Sequence, residues 1–327
     1  MKIWYDACTG KHVRYGTVIA RHFRNLEHEV ILTTRDHPDT LELAGILGEK
    51  FIPVGKYSPA SFSKRLLGSI KRMAQFSKMF EENLPDIAVS SQSPDLCRVA
   101  FGLNIPIILT ADTPYAVAVN RLTVPLANTL ILSEAIPQSI YKKCGAQNVV
   151  PFKGVDEVAW IRGMKPSEGC QFKKPLIVVR QMETKATYGL GKVDIMEELG
   201  RKLASLGNVL FLPRYSRADR KDVFVKKEFL DSANLVAHAD LVIGAGGTIA
   251  REAALQGVPS IVVSEFGRLQ VNEYLSKKGF PIFIVRLSKV MACAKRNLGK
   301  RWDVERKLSA LENPLEIMQR IVLPETH

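Results

Sequence analysis

Three glycines in four residues, Gly244-Ala-Gly246-Gly247, stand between the apolar run Leu241–Ile243 and a short helical pattern from Thr248 to Gln256. Gly246 and Gly247 carry no side chain that would hold an anion away, so the free N–H groups of Thr248 and its neighbours can face a phosphate. Arg251 falls in the first helical turn, where a cation opposes the helix dipole by roughly 0.3–1 kcal/mol unless an anion lies nearby. Glu252 follows it and can point across the same turn, as a carboxylate would to hold two ribose hydroxyls. The plainer alternative is a tight βα turn in which Glu252 complements the dipole and Arg251 is solvated. Two further arginines fall at strand ends on the same side, Arg180 in Val179-Arg-Gln-Met-Glu183 and Arg214 in Leu212-Pro-Arg-Tyr215. A guanidinium fork there suits a diphosphate, and pairing with a structural carboxylate is its competing use.

A second group opens the chain. Lys2-Ile-Trp-Tyr-Asp-Ala-Cys-Thr-Gly-Lys-His-Val13 reads as a strand ending in a polar turn with one glycine. His12, at the top of that strand, has an unperturbed pKa suited to a general base near neutrality. Asp6 can serve as base or orienter, and both residues can equally be structural. The turn lacks G-x-G-x-x-G, which argues against a nicotinamide enzyme. Ser91-Gln-Ser-Pro-Asp95 and Ala111-Asp-Thr-Pro-Tyr115 each follow a strand and should rim a cleft, which makes Asp95, Asp112 and Thr113 candidates. Ser93, Asp95 and Thr113 are also good N-cap types. Glu134, just past the strand Thr129–Leu132, has the same two readings.

These side chains need a frame that brings strand ends together, and the rest of the chain supplies the pattern for one. Apolar strand-like runs recur at Glu29–Thr33, Phe51–Val54, Ile87–Ser90, Ile107–Thr110, Thr129–Leu132 and Asn148–Pro151, with helical patterns between them. The first of those helices is expected near Thr17–Leu26, and others near Phe62–Glu82 and Asp95–Leu103. Such alternation is the signature of a doubly wound parallel sheet buried on both faces. A polar stretch containing Gly163, Pro166, Ser167, Glu168 and Gly169 reads as a linker, after which the alternation restarts at Leu176–Arg180 and Val209–Pro213. The expectation is two Rossmann-like domains, 1–165 and 166–327, with a cleft between them.

The 327 residues suffice for two cores, and 46% apolar with 24% charged content is that of a soluble globular protein. No apolar run approaches a membrane span and the N-terminus has no signal-peptide layout, so the expected location is the cytoplasm. The five cysteines are scattered, without CxxC or metal-ligand spacing, and no metal site is expected. A net charge of +13 implies an anionic partner. Nucleic acid is disfavoured, because no RNP, KH or helix-turn-helix signature is present. Between Lys50 and Phe80 lie seven basic residues and no acidic one. Phe62, Leu66, Leu67, Ile70, Met73 and Phe76 run along one side there at helical spacing. This suits either an interfacial helix attracted to anionic lipid or an ordinary sheet-covering helix with a basic outer face.

Taken together, Lys2–Val13, Ser90–Ile136, Val178–Glu183, Leu212–Tyr215 and above all Leu241–Pro259 resemble the mainly archaeal family DUF354, placed among the GT-B glycosyltransferase-like proteins. The resemblance spans nearly the whole chain. It implies an α/β GT-B-like fold of two facing Rossmann domains, with a nucleotide-sugar held by the C-terminal one and an acceptor by the N-terminal one. In GT-B enzymes that use UDP-sugars, a Gly-rich turn and its helix hold the diphosphate and a Glu in that helix binds the ribose. Those roles would fall to Gly244, Gly246, Gly247, Thr248 and Glu252. Thr9-Gly-Lys-His-Val13 is similar to the Thr-Gly-Gly-His-Val loop of the N-acetylglucosaminyltransferase of peptidoglycan synthesis, with Lys11 in place of a glycine. GT-B proteins also commonly send their last helix back to the N-terminal domain, a role open to Pro314–Ile321.

The expected activity is metal-independent transfer of a sugar from a UDP-sugar or similar donor to an acceptor hydroxyl, with His12 or Asp6 taking the proton. The nucleotide-sugar is a co-substrate and no other cofactor is expected. The acceptor is open, a lipid-linked one being compatible with peripheral membrane contact through residues 50–80. The alternatives are a non-hydrolysing nucleotide-sugar 2-epimerase, for which Asp6, Asp95, Asp112 and Glu134 offer carboxylates, and a non-enzymatic nucleotide- or nucleic-acid-binding protein.

Overall fold

The computed structural model describes residues 1–57, 61–169, 171–184, 193–215, 217–218, 223–266 and 269–323. In chain order the first part runs β1 (Lys2–Ala7), α1 (Gly10–Arg24), β2 (Glu29–Asp36), α2 (Pro38–Ile46), β3 (Ile52–Lys56), α3 (Phe62–Met79), β4 (Ile87–Ser90), α4 (Pro94–Gly102), β5 (Ile107–Ala111), α5 (Val117–Thr123), β6 (Thr129–Ser133), α6 (Gln138–Lys142) and β7 (Val149–Phe152). Among the described residues these strands make one parallel sheet in the order β3-β2-β1-β4-β5-β6-β7. Every residue of β4, β5 and β6 is buried, which is why they read as largely apolar runs. The strand order reverses between β1 and β4, so the loops after those two strands flank the crevice where open α/β sheets bind ligands.

The first helix starts earlier than its apolar spacing suggests. Thr9 caps it, its hydroxyl accepting from the His12 N–H, and α1 begins at Gly10. Lys11 and His12 therefore sit in a helical first turn and not in a loop. Gly16 is needed further along that helix, because a Cβ there would lie 2.5 Å from Tyr5 Cε1 on β1. On the other side of the reversal, Ser93 caps α4 by accepting from Leu96 N–H, with Pro94 in the first turn.

After α7 (Val158–Ile161) come β8 (Leu176–Arg180), α8 (Met196–Leu203), β9 (Asn208–Leu212), α9 (Ser232–His238), β10 (Leu241–Gly244), α10 (Thr248–Leu255), β11 (Ser260–Val263), α11 (Gln270–Lys277), β12 (Ile282–Val285), α12 (Val290–Asn297) and α13 (Glu305–Ser309). Their strands form a second parallel sheet, β12-β11-β10-β8-β9. Alternate residues of one strand feed two cores. Ile177 and Val179 pack with Phe211, Ile243 and Ile261 on one face, and Leu176 and Val178 pack with Leu210 and Val242 on the other.

Helix α9 begins at Ser232, because Asp231 caps it by accepting from the Ala233 and Asn234 N–H groups. The sequence reading passed over α12, whose Val290 and Ala294 join the core of the second sheet. The last helix, α14 (Pro314–Val322), starts behind an Asn313 cap. The chain divides into two compact units, Met1–Ala159 together with the segment from Glu312 onward, and Trp160–Leu311. Within the first unit His22 and Gln319 are joined by a 2.8 Å hydrogen bond between α1 and α14. Cys8, Cys97, Cys144 and Cys293 are free thiols, and Cys170 lies outside the described residues.

Candidate functional site

In the second unit the three glycines form the open turn between β10 and α10. None of Gly244, Gly246 and Gly247 has a left-handed φ. Backbone conformation does not demand glycine at these positions; space does. A Cβ on Gly247 would lie 2.7 Å from Arg251 Nη1 and 2.9 Å from its Cζ, so the guanidinium rests against the bare backbone of the turn. The nearest side-chain atom to a Cβ on Gly246 would be Arg214 Nη2 at 3.8 Å, and Gly244 faces Arg180 Cβ at 3.7 Å. Arg214 and Arg251 therefore bring their guanidinium groups to the turn, and Arg180 meets it through its Cβ. The plainer alternative of a solvated Arg251 is ruled out, because this side chain is buried.

Each outer arginine is braced by its own strand end. Arg180 Nη1 donates to Pro213 O at 3.0 Å. Arg214 Nε donates to Gln181 O at 2.8 Å, and the Arg214 N–H donates to Gln181 Oε1 at 2.7 Å. Glu183 lies 3.8 Å from Arg214 Nη1 and accepts from Tyr215 OH at 2.6 Å. The turn itself, Ala245–Thr248, is partly exposed. No side chain caps α10 among the described residues. The first-turn N–H groups, which lack acceptors inside any helix, thus open toward a cationic rim.

Glu252 is placed differently from its expected ribose-holding role. It is 1% exposed, with Oε1 accepting from Trp160 Nε1 at 3.0 Å and Oε2 from Ser232 Oγ at 2.8 Å. Both oxygens hold the inner side of α10 to its neighbours, and the carboxylate is not presented at the turn.

In the first unit both expected bases are displaced from that role. Asp6 is fully buried at the end of β1. Its oxygens accept from Arg72 Nη1 at 2.9 Å and Nη2 at 2.5 Å, from Thr33 Oγ1 at 2.8 Å and from Ser93 Oγ at 2.6 Å. A carboxylate so enclosed and paired ties β1, β2, α3 and α4 together and is not available to take a substrate proton. His12 is partly exposed, but burial and then the neighbouring Lys11 ammonium lower its pKa to about 3. Its Nδ1 accepts from the Cys8 N–H at 3.3 Å, which leaves the proton of the neutral ring on Nε2. A base that weak does not match a task near neutrality. Burial likewise pushes the Cys8 thiol up, so it stays protonated.

The cleft candidates separate into three settings. Asp95 accepts from Ser69 Oγ at 2.5 Å and from Arg72 Nη1 at 3.1 Å, as part of the Asp6 network. Glu134 is exposed just past β6. Asp112 is held by Lys11 Nζ at 2.6 Å and by Thr113 Oγ1 at 2.9 Å. The same Nζ reaches Asp156 Oδ2 at 2.8 Å, so Lys11 joins two carboxylates at the carboxyl edge of the sheet. Lys11 and Asp156 escaped the sequence reading as site residues. Asp156 lies a few positions past β7, the same strand-end signal that picked out Glu134. Just past β4, Gln92 occupies a left-handed conformation at φ 62 and donates through Nε2 to Asn120 Oδ1 at 2.5 Å. A non-glycine residue held there costs of order 1 kcal/mol, the kind of local strain that gathers at binding sites.

Solved structures share this architecture along almost the whole chain. MnaA of S. aureus, seen with UDP, matches 98% of this chain and 95% of its own at a TM-score of 0.71 and 14% identity. The spinosyn rhamnosyltransferase SpnG, complexed with thymidine diphosphate, matches 98% and 99% at 0.59 and 15%. The Streptomyces sp. SF2575 glycosyltransferase SsfS6, also complexed with thymidine diphosphate, matches 98% and 99% at 0.57 and 18%. At such identities the likeness establishes the fold, which is GT-B-like with parallel α/β sheets of seven and five strands. In sequence, the Methanocaldococcus jannaschii protein MJ0665, described as uncharacterized, is 30% identical over 97% of this chain and 96% of its own length. The family model described as "Protein of unknown function (DUF354)" matches residues 1–326, and the chain belongs to that family.

Proposed function

We propose that this protein binds a nucleoside diphosphate-sugar through the Gly244–Thr248 turn and transfers the sugar to an acceptor hydroxyl. The observation that carries this reading is the setting of the Arg214 and Arg251 guanidinium groups against a partly exposed glycine turn at an uncapped helix N-terminus, with Arg180 braced at the neighbouring strand end. Two phosphates carry charge that such a rim would neutralise, and braced guanidinium groups lose little freedom on binding them. As the glycosidic bond breaks, the same groups stabilise the charge developing on the leaving diphosphate. The UDP and thymidine diphosphate found with structurally similar proteins support this ligand class. With Asp6 and His12 set aside, Asp112 is the carboxylate we assign to orient the acceptor hydroxyl in the first unit, since Lys11 fixes it and it retains partial exposure.

The test is calorimetric titration of UDP, GDP, CDP and thymidine diphosphate into the protein and into Arg214→Ala. Saturable binding of one of them, weakened at least about tenfold in the variant, is the expected result. Absence of binding by all four would sink the nucleotide-sugar reading.

The Lys11–Asp112–Asp156 cluster favours one second reading, 2-epimerisation of a nucleotide-sugar, because that chemistry needs carboxylates about the sugar. NMR of the donor incubated without acceptor separates the two, since only an epimerase turns over under those conditions.

A further inference from the structure

Helix α3 has a surface that the donor site does not explain. Its inward side is fixed by polar bonds: Arg72 is buried on Asp6 and Asp95, Ser69 donates to Asp95, and Phe76 packs inside. At 100° per residue Phe62, Leu66, Ile70 and Leu67 sweep the flank of the helix that runs from beside Ser69 round to the side opposite Phe76. They are 69, 57, 48 and 55% exposed respectively, with Phe62, Leu66 and Ile70 at four-residue steps and Leu67 beside them. Lys64, Lys71 and Lys78 recur at seven-residue steps along the margin of that apolar face, and all three are exposed.

We infer that this face of α3 lies on an anionic lipid bilayer, with the four apolar side chains entering the acyl boundary and the lysine row at headgroup level. Charge complementarity selects this occupant. The segment from Lys50 to Phe80 holds no acidic residue, and its lysines border the apolar face instead of interrupting it. An apolar face edged by a row of lysines is the layout of a helix lying in a membrane interface. Among the described residues no helix is long and apolar enough to cross a membrane, so the contact is peripheral. The chain order gives the placement a purpose. α3 leaves the carboxyl end of β3 and returns toward the start of β4, so its apolar first half lies at the same sheet edge as Lys11 and Asp112. An acceptor anchored in lipid would then reach that edge without leaving the bilayer. The bilayer contact itself does not depend on the donor reading.

The experiment is co-sedimentation with vesicles of phosphatidylcholine containing phosphatidylglycerol and with phosphatidylcholine alone, at 0.1 M salt. The full chain is expected to bind the anionic vesicles and not the neutral ones. Replacing Lys64, Lys71 and Lys78 together by Gln should weaken binding roughly a hundredfold, and Leu66→Ser with Leu67→Ser at least about tenfold. Gln at Lys142, Lys143 and Lys277, an equal loss of charge elsewhere, should change it by less than about twofold. All these side chains are exposed, so each variant should fold, which circular dichroism checks. No binding to anionic vesicles overturns the inference, as does a serine pair that binds like the parent or a charge control that loses as much as the α3 variant. Light scattering that finds a dimer dissolved by the serine pair would also overturn it, because a second copy would then cover the face. Nucleotide calorimetry on the same variants should be unchanged, which separates failure of this inference from failure of the donor site.

Discussion

Asp6 and Arg72 face each other as a closed two-bond ion pair, Oδ2 on Nη1 at 2.9 Å and Oδ1 on Nη2 at 2.5 Å, with neither side chain more than 2% exposed. Such a pair contributes little relative to an apolar replacement of both partners, but breaking it strands one charge in the interior. Arg72→Ala is therefore expected to lower stability by about 3–5 kcal/mol, measured by urea unfolding. Arg72→Met with Asp6→Leu should recover much of that loss. An Arg72→Ala variant as stable as the parent would contradict this closed pairing.

Gly247→Ala tests the turn directly. Its φ of −94 admits alanine, so any effect comes from the added methyl meeting the Arg251 guanidinium. Displacing that group should weaken nucleoside diphosphate binding by about tenfold, roughly 1.4 kcal/mol, with a much smaller change in melting temperature. Unaltered affinity in calorimetry would remove Arg251 from the site.

His12 carries a pH signature. Burial first and Lys11 second lower its pKa from 6.5 to about 3, so between those values the unfolded chain binds a proton that the folded one does not. Its contribution to stability is complete above pH 6.5 and is lost as pH falls toward 3, at no more than about 1.4 kcal/mol per pH unit. Replacing His12 by Gln should flatten the stability curve across that window. The ring signals of His12 in NMR should not titrate between pH 8 and 5, and a midpoint near 6.5 would contradict the placement.

Glu252→Ala should remove the carboxylate that accepts from buried Trp160 Nε1 and from partly buried Ser232 Oγ, at a cost of about 1–3 kcal/mol in thermal unfolding. Glu252→Gln, which retains one acceptor oxygen, should lose less. A ribose-binding role would show the reverse pattern, with weakened nucleotide affinity and unchanged stability.

The β10–turn–α10 unit was legible from sequence because glycine spacing, an apolar strand and a short helical pattern all point to one local geometry. The central strands β4, β5, β6, β10 and β11 were legible for a related reason, since they are buried on both faces and almost all their residues are apolar. What remained hidden depends on partners far along the chain. The spacing of α3 drew Phe62, Leu66, Leu67, Ile70, Met73 and Phe76 onto one side, yet only Phe76 among them is buried. The helix instead turns Arg72 inward, because Asp6 and Asp95 wait at the ends of other elements. No local pattern announces that a carboxylate 66 residues away needs a cation. Lys11 was hidden likewise, since its two carboxylates come from the β5 and β7 ends.

The segment from Glu312 onward belongs with residues 1–159, so the first unit is discontinuous along the chain. On the ribosome, residues 160–311 emerge as an uninterrupted piece and can complete their own sheet while synthesis continues. The earlier-made unit must wait, because α14 packs against α1 only after some 150 intervening residues have been made. The half of the protein translated first is thus the half finished last. A nascent chain stalled inside the second unit would carry an exposed α1 flank, a surface on which chaperones can act.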